Sequence, residues 1–361
     1  MMIYFCLVIW LLIIGKICFP NYRKCYSKAT RKSFIVLFFF ACAILSGFRC
    51  LHVGVDTINY KHQFDLVAAS SWSDIFSSFY FNSMEIGYVL FMKLCSTIFN
   101  NYIIFQVIES VIFLCLFGRF IIDSTNHVFL ACCVFLGIGI FLDFMNVTRQ
   151  VFAVAVVING LCDLRKKHAI RAFIVLIIAV TIQISSAVFL ISYILYFLRN
   201  KNLIMKLLPL CSIFVLVFSE LFVNIVIAFF PKYENYLMRN SINQSAHFII
   251  LVWLIIVFMA LLTIYGRKKA NPFSNVIALF CIFYVICNCL GFKYNYFERV
   301  GLYFVPFVLL LLPEFVARIK NKRLKDAINF CMVFGFTMLF LISSTGSKQY
   351  QNYHLLGGDD L

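Results

Sequence analysis

The fold class this sequence predicts is all-α, as a polytopic integral membrane protein, and three observations predict it. Of the 361 residues, 63% are hydrophobic and only 13% are charged, against about 25% charged in soluble domains. Mean hydropathy is +0.95. Apolar runs of helix length recur along the chain, with short basic clusters between them. A water-soluble core cannot absorb this much Phe, Ile and Leu. In lipid, each spanning segment must satisfy its own backbone, which helices do. The expected architecture is about 10–12 transmembrane helices, with re-entrant or short interfacial helices and an outward-facing cavity.

The apolar runs lie at 3–19, 34–48, 85–99, 102–122, 127–143, 150–163, 169–198, 203–222, 247–265, 273–291, 297–317 and 327–344. The first has no basic leader and no small-residue cleavage site, so it reads as a retained helix rather than a signal peptide. Five basic clusters separate the runs: Arg23/Lys24/Lys28/Arg31/Lys32, Arg165/Lys166/Lys167/Arg171, Arg199/Lys201/Lys206, Arg267/Lys268/Lys269 and Arg318/Lys320/Lys322/Arg323/Lys325. Placing all five on the cytoplasmic side follows the positive-inside rule and puts both termini outside. Five apolar runs between the first two clusters make an odd number of crossings, so one of them does not cross. Run 85–99 is the candidate, because it opens with Glu85, contains Lys93 and reaches only about 22 Å. Run 169–198 is about 45 Å long. It is expected to break at Thr181–Gln183 into a hairpin with its tip near the outer side.

Two outward loops are long, 49–84 and 223–246. The first contains the amphipathic stretch Trp72–Phe76, suited to the membrane surface. Residues 1–345 read as one multi-pass membrane domain, and 346–361 as a polar, disordered tail. The net charge of +16 sits in the inter-run clusters, a membrane pattern rather than a nucleic-acid one. Many of the 44 Phe and 18 Tyr suit lipid contact and interfacial belts. The 15 cysteines include no C-x-x-C pair and lie mostly in apolar runs, so neither a disulfide framework nor a zinc site is expected. His52, Asp56, His62 and Asp65 are close in sequence but match no metal-ligand spacing. No metal and no cofactor are expected. Nucleotide-binding glycine loops are absent from the sequence.

Five cations fall at outward boundaries, where Lys and Arg are scarce: Arg49, Arg149, Arg239, Lys293 and Arg299. Charge there is either used or locally paired. Arg149 has Asp143 nearby in sequence, and Arg299 has Glu298 or Glu85 as candidate partners. The first of these cations opens a dense stretch, Arg49–Tyr60, with a glycine turn, Asp56 and Tyr60 directly after an apolar run.

Four segments carry a resemblance: Gly47-Phe-Arg49…Val53-Gly54-Val-Asp56…Tyr60…Phe64, then Glu85-Ile-Gly87-Tyr88, then Thr148-Arg149-Gln150, and Glu298-Arg299 with Tyr303-Phe304. In this order they resemble the EpsG-type exopolysaccharide and Wzy-like O-antigen polymerases, from about residue 1 to 345. The chain departs from that family at Gln183-Ile-Ser185-Ser186, where a histidine often precedes the small pair. The resemblance implies a membrane glycosyltransferase of the bacterial cytoplasmic membrane. It would join undecaprenyl-diphosphate-linked oligosaccharide repeat units into O-antigen, capsule or exopolysaccharide. Expected partners are those lipid-linked oligosaccharides, membrane lipids and a chain-length regulator, with no nucleic acid. A lipid-linked oligosaccharide flippase and a glycan ligase are the alternatives.

Under this reading Arg49, Arg149 and Arg299 converge on one cavity and grip the diphosphate, whose oxygens suit the planar guanidinium. Arg239 and Lys293 are further binding candidates. Asp56 either takes the proton of the attacking hydroxyl or merely shapes an Asx turn. Glu85 either joins the chemistry or caps a helix start. Tyr60, Tyr88 and Tyr303 either stack on sugars or are interfacial tyrosines. Gln150 and Gln183 offer hydrogen bonds without proton exchange.

Overall fold

The computed structural model describes residues 2–20, 26–77, 80–81, 84–200, 202–221, 224, 247–266, 272–351 and 353–354. The chain opens with α1 (Met2–Cys18) and α2 (Lys28–Gly47). The segment expected as a long loop folds into α3 (Thr57–Ala69), α4 (Trp72–Phe76) and a hairpin of β1 (Tyr80–Phe81) with β2 (Met84–Glu85). Next come α5 (Ile86–Phe99), α6 (Tyr102–Ser124), α7 (Val128–Gly137), α8 (Ile140–Asn146), α9 (Thr148–Arg165) and α10 (Ala169–Ile182). A 3-10 turn, Ile184–Phe189, leads to α11 (Leu190–Leu198), α12 (Asn202–Val217), α13 (His247–Tyr265), α14 (Pro272–Gly291), α15 (Asn295–Gly301) and α16 (Val308–Ala317). The chain closes with α17 (Lys322–Gly346) and α18 (Lys348–Gln351).

The protein is an all-α polytopic membrane protein. Four described helices are long and apolar enough to cross a membrane: α2, α6, α14 from Phe273, and α17. The pair α7–α8, bent by 47°, makes a fifth when counted as one span. Seven shorter apolar helices of 10–17 residues accompany them among the described residues. Local chemistry sets several starts. Ser27 caps α2 through the Thr30 N–H (3.1 Å), and Asn101 caps α6 through Ile103 (2.8 Å). Ser71 and Asp74 form a reciprocal capping box on α4. Contacts divide the chain into two units, 1–187 with 322–361 and 188–321, where a single domain was expected.

In the first unit α9 is the core helix, with 15 of its 18 residues buried. A helix buried on nearly every side belongs inside a bundle. The bundle around it has two chemically different ends. At one end Asp123, closing α6, takes Lys28 of α2 at 3.5 Å and Lys166 beyond α9 at 2.6 Å. Arg31 reaches the Thr125 carbonyl at 3.0 Å, and Arg119 pairs with Asp163 at 2.7 Å. His127, heading α7, is held below the ordinary imidazole range by burial and, second, by Lys325 of α17. Three of the five basic clusters therefore share one end. The Arg267/Lys268/Lys269 cluster lies outside the described residues.

Helix α5 begins just after Glu85 and ends just before α6, whose first turns touch Thr57 and Arg49 at the other end of the bundle. Both ends of α5 thus lie at one end, as parity required of run 85–99. The long run 169–198 breaks at Gln183, whose N–H still closes on Ala179 while the chain turns extended. Segment 348–354, expected as disordered tail, is docked: Tyr350 and Tyr353 are buried. Residues 355–361 lie outside the described residues. In the second unit α14 is the hub, and Phe280 meets Phe307 at 4.4 Å between ring centroids. Ser274 of α14 donates to Glu314 of α16 at 2.9 Å.

Two glycines hold turns that L residues resist. Gly139 (φ +94°) bends α7 into α8 with open space around it, while Gly54 (φ +87°) lies against the Met145 carbonyl. Gly139→Ala should cost ~1–2 kcal/mol from the left-handed backbone alone. Gly54→Ala should cost more, because its Cβ also meets that carbonyl. Thermal unfolding in detergent should show the larger drop for Gly54→Ala; equal drops would mean the 49–56 loop is not pressed on α8.

Candidate functional site

The end of α2 raises a problem that its own neighbours and two distant parts of the chain solve. The last carbonyls of a helix have no partner within it. Here Ile44 O takes the Phe48 N–H (3.1 Å), and Ser46 O takes the Arg49 guanidinium. Gly47 O takes Gln106 of α6 (2.9 Å), and Leu45 O takes the Tyr353 hydroxyl. Arg49 is 1% exposed. Its other fork reaches Thr148 Oγ1 at 3.4 Å, in the first turn of α9. Gln106 also donates to the Arg49 carbonyl, 3.1 Å. A guanidinium so enclosed presents no surface to a diphosphate, so the expected phosphate contact does not fit Arg49. It holds α2, α6 and α9 together.

The loop that follows is latched to α8. Val55 N–H donates to Asn146 Oδ1 at 2.9 Å, and Thr57 Oγ1 bonds the Val53 carbonyl at 2.6 Å. Asp56 then stands at the head of α3, half-buried, and its side chain makes no capping hydrogen bond. The Asx-turn reading has no bond to support it. One turn on, Tyr60 is buried, and its hydroxyl accepts the Arg149 N–H at 3.4 Å. Burial pushes the Tyr60 phenol up to about 12, with Arg149 and Asp56 both within electrostatic range.

Arg149 and Glu85 form the ionic core of this end. Arg149 Nη1 lies 2.6 Å from Glu85 Oε2, with 19% and 4% of the two side chains exposed. Arg149 thus pairs with Glu85 rather than with the nearby Asp143. The other Glu85 oxygen takes the Ile184 N–H at 2.9 Å, where the chain resumes after the Gln183 break. One carboxylate therefore ties α5, α9 and the end of α10. Gly87 makes this approach possible, since a Cβ there would overlap Thr181. Both Glu85 oxygens are thus engaged. Arg149 keeps part of its guanidinium open, beside the positive end of the α9 dipole.

Of the other candidates, Gln150 is buried and Gln183 half-buried. Tyr88 is fully buried and donates to Glu109 at 2.7 Å, with its ring 6.0 Å from Tyr60. Tyr303, in the second unit, is also fully buried. Neither ring offers a face to a sugar. In that unit Lys293 pairs with Glu220, and Arg299 sits exposed on α15 beside Glu298. Arg239 lies outside the described residues. No group of three metal-ligating side chains occurs among the described residues.

Glu109 and Gln106 were missed by sequence reasoning. Both are buried in α6. The signal was present: a carboxylate in the middle of an apolar run marks a functional or structural site by default. The family model of EpsG proteins matches residues 32–355.

The chain belongs to the EpsG family. No curated protein and no solved structure matches it. The EpsG match contains all four signature segments and runs past α18 to the docked residues 353–354. Membership fits a role of exopolysaccharide-polymerase type.

Because the Glu85–Arg149 pair is nearly dry, removing one partner should cost on the order of 3 kcal/mol. Glu85→Ala and Arg149→Ala should each lower thermal stability in detergent strongly, and the double variant by less than their sum. Strict additivity would show that the two charges are not coupled.

Proposed function

We propose that this EpsG-family protein polymerises lipid-diphosphate-linked oligosaccharide repeat units at the outer face of a bacterial cytoplasmic membrane. The observation that carries the reading is the pairing of opposite chemistries at the head of α9. Arg149 is anchored by Glu85 with part of its guanidinium open, and Asp56 stands nearby with no side-chain bond among the described residues.

In the reaction, a hydroxyl of the incoming unit's terminal sugar attacks the anomeric carbon of the growing glycan. Its oxygen forms the new glycosidic bond as the bond to the lipid diphosphate breaks. Asp56 takes the hydroxyl proton. Arg149 and the α9 N-terminus stabilise the negative charge that develops on the departing diphosphate. The diphosphate ester supplies the driving force, so no nucleotide is needed. Tyr60 sets the approach between Arg149 and Asp56, and Arg49 holds the loop. Arg299 is the remaining arginine of the family signature.

The orientation follows from the basic end facing the cytoplasm. In a cysteine-depleted background, an impermeant thiol reagent should label Ser71→Cys in intact cells and spare Lys322→Cys. The reverse pattern would invert the protein and remove the outward site.

Chemistry is tested with purified lipid-linked units. Asp56→Asn should abolish chain growth while lipid-linked units still bind. Arg149→Lys should lose rate nearly as fully as Arg149→Ala, because Lys keeps charge but not the two-pronged fork. Normal glycan length in Asp56→Asn would remove it as the base. In cells lacking the protein, single units should accumulate outside; units trapped inside would indicate a transporter instead.

A further inference from the structure

Residues 347–351 and 353–354 pack back on the first half of the chain. They lie more than 290 residues beyond the Arg49–Asp56 loop, yet two loop amides donate to them. Cys50 N–H bonds the His354 carbonyl and Gly54 N–H the Gln349 carbonyl, each at 3.2 Å. The same segment sends two side chains back. Tyr353 donates to Leu45 O of α2, and Tyr350 donates to Leu142 O of α8 at 3.0 Å. Tyr4 of α1 closes the arrangement from the far side, donating to the Tyr350 carbonyl at 3.4 Å and meeting the Tyr353 ring edge-on at 5.5 Å. Burial raises both phenols above the ordinary tyrosine range, so both remain donors at neutral pH.

The loop needs such a support. Its own bonds hold its far half, through Asn146 and Thr57. The buried Cys50 and Gly54 amides and the Leu45 carbonyl of α2 are bonded by Gln349, Tyr353 and His354, beyond α17. A buried group left without a partner is costly, so losing these bonds would let residues 49–56 detach from α8 without unfolding the bundle.

We infer that segment 347–354 is a positioning strap that sets the Arg49–Asp56 loop, through Tyr353, Tyr350 and the His354 and Gln349 carbonyls. Its consequence for catalysis rests on the polymerase reading; its effect on the loop does not. By holding Cys50 and Gly54, the strap sets where the Asp56 carboxylate stands relative to Arg149.

The test compares hydrogen–deuterium exchange of the full chain, a chain ended at Gly346, and Tyr353→Phe, all in detergent, together with polymer formation. Amides of 49–56 should exchange about tenfold faster without the strap, while peptides of α6 and α9 stay protected. Tyr353→Phe keeps the ring against Tyr4 and removes only the hydroxyl, so the same local change should appear at smaller size. Polymer formation should fall in step with the loss of protection. Should the shortened chain fail to insert, Tyr353→Phe decides alone. Unchanged exchange in 49–56 overturns the strap. So does a speed-up spread evenly over α6 and α9, which would make the segment a general stabiliser. Faster loop exchange in a protein with no polymerising activity at all would uphold the strap and defeat the polymerase reading instead.

Discussion

The first unit depends on how α2 ends. A helix that stops inside a bundle leaves carbonyls facing a region without water, and each needs a donor from elsewhere. A neighbouring amide, the Arg49 guanidinium, Gln106 of α6 and Tyr353 supply them. Arg49 carries the greatest burden, since it is 1% exposed and forms no ion pair among the described residues. Its charge is tolerated because carbonyl and hydroxyl oxygens receive its forks, with hydrogen bonds to charged groups worth about 1.5–3 kcal/mol each. Glu109, within its electrostatic reach, offsets part of the field. The same requirement draws α6, α9 and the strap to one place.

Charge serves two purposes at the two ends of this bundle. At the basic end the cations are about half exposed, as with Lys28, Lys166 and Arg119. Such pairs contribute about 0–1 kcal/mol each, and their value lies in orienting the chain across the membrane. At the other end Glu85 and Arg149 are nearly dry. A pair of that kind locks geometry, because either partner left alone would be an uncompensated charge. A guanidinium held on one fork and open elsewhere is what anion recognition needs.

The segments that resemble EpsG proteins differ in how far their side chains are buried. Arg49, Glu85 and Tyr88 are buried and committed to other parts of the chain, while Asp56 and part of Arg149 remain available. Gly54 and Gly87 allow two backbones to approach where a side chain would collide. Burial thus commits most of these side chains to holding the bundle together.

Membrane class and helical character were legible from the sequence because hydropathy adds up locally, run by run. The break at Gln183 and the non-crossing course of α5 were legible too, since length and charge parity along the chain restrict both. Three basic clusters share one end for the same reason. Which arginine is buried was not legible: an arginine that caps a helix and one that grips a ligand are the same letter at the same kind of boundary. Only the folded bundle decided that Glu85 meets Arg149, 64 residues away, and that Tyr88 meets Glu109. It decided as well that residues after Gly346 dock. A polar, charge-bearing segment reads as disordered until a distant helix end supplies carbonyls that need its hydroxyls, and that need exists only in three dimensions.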